Sequence, residues 1–139
     1  SSVGGGRQNT ARANYAAVGG GYTNHALSQA GTVSGGWGNT ANSFCSVGGG
    51  AFNQASVPYV SISGGSYNSG GTQYVAIGGG TFNNGIGYAA VVAGGSSNTI
   101  GSSADVAGKF SVISGGNLNT VQADFSTVGG GYHNRASAL

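Results

Sequence analysis

An asparagine returns through this chain at an almost fixed interval. Asn9, Asn24, Asn39, Asn53, Asn68, Asn83, Asn98, Asn119 and Asn134 are spaced by 15, 15, 14, 15, 15, 15, 21 and 15 residues. Before each one stands an apolar residue, then two or three small residues ending in glycine, then two variable positions. A period that short predicts a stack in which one repeat is one turn and buries its apolar side on the next. One such turn holds two short strands and two bends. That is shorter than the roughly 18 residues of a three-sided β-helix turn, so the pattern predicts an all-β, flattened parallel β-roll of about nine turns. At ~4.8 Å per strand the stack is about 43 Å long. Residues 1–139 read as a single repeat domain.

Alternation along each strand assigns the interior. Val18, Val33, Val47, Ile62, Ile77, Val92, Ile113 and Val128 share a face with the residue two before, which is Ala16, Gly31, Cys45, Val60, Val75, Ala90, Ser111 or Ser126. These are small or β-branched and suit a thin core. A second inward position lies two residues after each asparagine, running from Ala11 and Ala26 to Val121 and Ala136. The glycines, such as Gly19-Gly20-Gly21, mark a bend or a close approach of backbones. Asparagine tolerates left-handed backbone, and stacked asparagines can form an amide ladder along the axis.

The chain's 13 aromatics fall on two tracks. Tyr15, Phe44, Tyr59, Tyr74, Phe110 and Phe125 each stand nine residues before an asparagine, and Tyr88 stands one residue out of step. Tyr22, Trp37, Phe52, Tyr67, Phe82 and Tyr132 stand one or two before it. On a straight strand the first track points away from the core. An outward aromatic stripe needs a cover, either another chain or a sugar or surface partner. The 21-residue spacing predicts a short insertion loop at about residues 99–109, and its Asp105 and Lys109 are a candidate contact.

Composition narrows the function. Charged residues are 4% of the chain and the net charge is +2, without a basic run, so nucleic-acid binding is not expected. No stretch has the length of a membrane helix, so membrane insertion is not expected either. The supply of catalytic side chains is Asp105, Asp124, His25, His133 and Cys45. The two histidines stand about seven turns apart, and Cys45 occupies a small inward position. No enzyme activity is expected. Calcium-binding glycine-rich rolls carry an acid in each repeat where this chain has asparagine, so neither metal nor cofactor is expected. The absence of methionine reads as a processed chain or a segment of a longer one. Asn134 and Asn9 of a following copy would be 14 residues apart, a legal turn, so head-to-tail stacking is open.

The segment Tyr74-Val75-Ala76-Ile77-Gly78-Gly79-Gly80, with Tyr59-Val60-Ser61-Ile62-Ser63 as a near match, resembles the head repeat of YadA-like trimeric autotransporter adhesins. That resemblance implies a left-handed parallel β-roll, a homotrimer and binding to host surfaces. The Gly-Gly-Gly-x-x-Asn-x-Ala half is similar to glycine-rich repeats of phage and large-virus fibre proteins. Together these readings give an extracellular structural fibre or adhesin segment. It would act by self-association, as a homotrimer or head-to-tail filament, with a host-surface protein or glycan as a further partner. The alternative is a monomeric ice- or glycan-binding roll. Its outward column would be Ala17, Thr32, Ser46, Ser61, Ala76, Val91, Val112 and Thr127, a mixture rather than a threonine lattice.

Overall fold

The computed structural model describes residues 1–102 and 107–137. It is an all-β solenoid. Among the described residues, eighteen two-residue strands form two nine-stranded parallel sheets. The first runs from Ser2–Val3 and Ala17–Val18 to Thr127–Val128; the second runs from Thr10–Ala11 and His25–Ala26 to Arg135–Ala136. Each strand pairs with its counterpart one repeat on, as Ala76 with Ser61 and Ile77 with Ile62. The shorter and longer repeats keep the register, pairing Val33 with Val47 and Val92 with Ile113. A third row of single bridges, Arg7–Tyr22–Trp37–Ala51–Ser66 and onward to Tyr132, runs along one edge.

The core is the column read from the sequence. Val18 through Ile113 in the first sheet are at most 1% exposed, and Val128 at the last turn is 8% exposed. The facing positions complement one another in volume. A Cβ on Gly70 would stand 2.3 Å from Val60 Cγ1, and one on Gly85 would stand 2.5 Å from Val75 Cγ1. Where the first partner is small, the second grows, as in Ala90 with Ile100 and Ser111 with Val121; both pairs are buried. The rule is not uniform along the stack: Ala16 faces Ala26, and at Gly31 the backbone itself closes in, a Cβ there standing 2.7 Å from Ala41 O.

The two edges obey different rules. From first sheet to second the chain always takes six residues, as in 19–24, 48–53 and 114–119. On the return it takes five, except four at 42–45 and eleven at 101–111. All the irregularity of the repeat therefore sits on the return edge. Thr99 and Ile100 still pair as a strand, so the extra residues begin at Gly101. Asp105, one half of the candidate loop contact, lies outside the described residues.

Candidate functional site: an asparagine spine and two aromatic ladders

The six-residue edge is invariant in length because its asparagine stitches its own turn to the next. Asn68 Nδ2 donates to Gly64 O at 3.0 Å within its own bend and to Gly80 O at 3.0 Å in the next turn. Its Oδ1 accepts the backbone N–H of Asn83 at 3.0 Å. The same pattern repeats from Asn24 to Asn119. Those interior asparagines are fully buried, with every described buried side-chain polar atom satisfied. The ladder expected from the sequence thus lies inside the roll and binds backbone rather than only other amides.

This bend fixes its glycine. The residue three before each asparagine has φ between 83° and 91° in all nine turns. In the eight turns with a turn above, its Cβ would meet the next turn's carbonyl oxygen at 1.9–2.2 Å. Gly65 is such a position, and any side chain there would push two turns apart.

The return edge carries the first aromatic track, though not as outward strand residues. Tyr15, Phe44, Tyr59, Tyr74, Phe110 and Phe125 sit in turns with φ between 51° and 67°. In the turn closed by Ala16 N–H donating to Ala13 O, Tyr15 is the third residue, where type II turns favour glycine. Pro58 precedes Tyr59 at the second position, where proline fits the required φ. Straight-strand alternation therefore does not apply to this track: the rings project from a left-handed corner. Ala30 and Ala89 hold the same backbone in the two turns without an aromatic there. No described turn on this edge uses glycine or asparagine at that corner.

The rings stack turn on turn. Phe44–Tyr59, Tyr59–Tyr74 and Phe110–Phe125 are parallel within 16°, with centroids 5.0–5.5 Å apart. Tyr88, one residue out of step, bridges the gap: its ring lies edge-on to Tyr74 at 5.4 Å and to Phe110 at 5.6 Å. Six rings thus form one unbroken ladder, half-exposed along most of its length. Tyr15 does not join it; Ala30 intervenes, and the ring is 79% exposed.

A second ladder climbs the asparagine edge, and it was not singled out from the sequence as a surface. Tyr22, Trp37, Phe52, Tyr67 and Phe82 follow one another at 6.3, 4.8, 5.1 and 4.9 Å. The first two are bridge residues and the other three take the left-handed position beside the asparagine. The sequence already places these residues on one track of 15-residue spacing, across the shift by one residue relative to the asparagine after Trp37. One ladder lies on the connection from first sheet to second and the other on the return, so the two run along different edges of the solenoid.

The remaining reactive side chains are dispersed. Cys45 is buried and its Sγ donates to Val57 O at 2.9 Å; burial pushes the thiol pKa up. Ser111 makes the corresponding pair of bonds to Lys109 O and Ala123 O. Asp124 accepts the Lys109 backbone N–H at 2.9 Å, which ties the foot of the insertion to the next turn. The Lys109 side chain is exposed. His25 lies in the second turn and His133 in the ninth. Among the described residues no three His, Cys, Asp or Glu side chains gather. Compared with known proteins, the chain matches no family model and no curated sequence.

Proposed function

We propose that this chain is a non-catalytic structural segment of an extracellular fibre or adhesin, a stiff rod that associates with further copies of itself. The observation that carries this reading is the return-edge ladder. A bulky residue in left-handed backbone costs roughly 1–2 kcal/mol, which glycine would avoid and asparagine would reduce. A stacked aromatic pair returns about 0.5–1.5 kcal/mol beyond burial. In a lone chain with rings half in water these terms nearly cancel. Burial of the exposed half against a second molecule makes the choice of aromatic worthwhile, at ~25 cal/mol per Å² of apolar surface.

The same stacking speaks against a glycan platform. Sugars pack on open aromatic faces, and here most faces are closed by the ring above and below. What points outward is ring edges, suited to a repetitive partner of the same rise. The asparagine spine and the uncharged, small-residue sheets fit a mechanical role, as do the resemblance to adhesin heads and the fibre-like composition.

The test is a double variant, Tyr59→Asn with Tyr74→Asn; asparagine accepts the left-handed backbone. Light scattering should show an oligomer for the native chain that persists on dilution, and a monomer with retained β circular dichroism for the variant. A native chain that is monomeric at every concentration would defeat the reading and favour the surface-binding alternative.

A further inference from the structure

We propose that the outer face of the second sheet, at the eighth and ninth turns, holds a binding site for a carboxylate-bearing sugar. The site lies apart from both ladders and does not depend on self-association.

Local structure builds a cleft there. In the strands Thr120–Val121 and Arg135–Ala136, Val121 is buried and Ala136 packs on the core. Thr120 and Arg135, which pair in register, therefore face outward. Gln122 returns to the same side, and its backbone N–H donates to Ala136 O at 2.7 Å. One residue before each asparagine, Leu118 and His133 hold left-handed backbone, with φ of 58° and 55°, and both side chains are exposed. Together with Asn134 these residues line an open cleft of about 330 Å³.

Its chemistry is one-sided. Every polar side chain in the lining can donate a hydrogen bond, and none is acidic. Arg135 Nη2 donates to Gln122 Oε1. That bond holds the guanidinium at the cleft and leaves Gln122 Nε2 free to donate. The one acidic side chain among the described residues, Asp124, accepts the Lys109 N–H on the return edge. Residues 26–104 contain no Asp, Glu, Lys, Arg or His. Across the middle of the stack this face thus offers polar groups without charge, and at Arg135 it gains a fixed cation.

Donors gathered around a guanidinium select an oxyanion. The size of the cleft selects more than the anion. It stands at the lower end of the roughly 300–1,000 Å³ of small-molecule sites, with room for one sugar ring rather than a longer chain. Sugar hydroxyls would accept from Thr120, Gln122 and His133. Leu118, 42% exposed, gives the ring's C–H face an apolar wall.

Three probes separate charge from ring. Glucuronic acid differs from glucose by a carboxylate in place of a hydroxymethyl group, and acetate carries the charge without the ring. Saturation-transfer NMR reads the ligand, so it tolerates any assembly of the chain. Glucuronate should bind at least about tenfold more tightly than glucose or acetate. Arg135→Gln, at an exposed position and checked for fold by circular dichroism, should weaken glucuronate by about tenfold, as loss of charge-assisted hydrogen bonds predicts. Arg12→Gln, exposed on the first turn, should leave it unchanged. Four results overturn the proposal. Glucuronate could fail to bind at millimolar concentration, or glucose could bind equally well. Acetate could match glucuronate, which would leave an anion site without a sugar. Arg12→Gln could weaken binding as much as Arg135→Gln, which would show diffuse attraction to a basic chain.

Discussion

Asn68 illustrates how one side chain joins two turns. Its carboxamide serves Gly64 O, Gly80 O and the Asn83 N–H, all away from water. Asn68→Ala strands Gly64 O and the Asn83 N–H, at about 1–3 kcal/mol for each unmet partner, while Gly80 O keeps the Ser66 N–H at 2.9 Å. The expected loss is about 2 kcal/mol or more, read as a clear fall in melting temperature. Asn134→Ala, which removes one exposed bond to Gly130 O, should stay within about 0.5 kcal/mol of native. Equal losses at the two positions would show that the spine is not what stabilises the bend. Cys45 offers the converse case. Ser111 already makes the same bonds to the carbonyls two residues before and twelve after, so Cys45→Ser should cost less than about 1.5 kcal/mol. Because burial raises the thiol pKa, the Cys45 contribution is complete below the ordinary thiol range and fades as pH rises through the folded value. The serine variant should lose that alkaline sensitivity, and a native thiol that reacts freely with an aqueous thiol reagent would refute the buried placement.

At the scale of the strand pair, Val60 with Gly70 and Val75 with Gly85 show a large residue filling the space that a glycine leaves. Gly70→Ala sets a Cβ 2.3 Å from Val60 Cγ1 and should destabilise by about 1–3 kcal/mol. Adding Val60→Ala recreates the pairing of Ala16 with Ala26 and should recover most of that loss. A double-mutant cycle on melting checks it, and additive losses would show that the two positions do not face each other. The inward column was legible in the sequence because the period is nearly constant and a strand buries every second residue. The insertion was legible because a spacing of 21 breaks it. What was not legible is the backbone at Tyr59 and Tyr74. Tyr-Val-Ala-Ile reads as a continuous strand, and nothing local announces a left-handed tyrosine where glycine is cheaper. The stack imposes that corner, because each turn must return over the one below. Tyr88 was set aside for being one residue out of step, yet a ring's reach makes up the difference. The second track was legible as a track, across the shift from Trp37 to Phe52, but only the first was read as a surface.

Across the whole molecule the parts divide their roles. The buried asparagine edge keeps a fixed length and holds the turns at a common rise. The return edge absorbs every change in length and carries the longer ladder. Both edges present rings in the uncharged middle of the stack, where a neighbour of the same rise would meet them. The central claim is that those rings are covered by other copies of this chain. Sedimentation equilibrium of the native chain over a hundredfold dilution tests it most directly. The expected result is a mass several times 13.3 kDa, with no free chain until the lowest concentrations. A single species of 13.3 kDa throughout would contradict it.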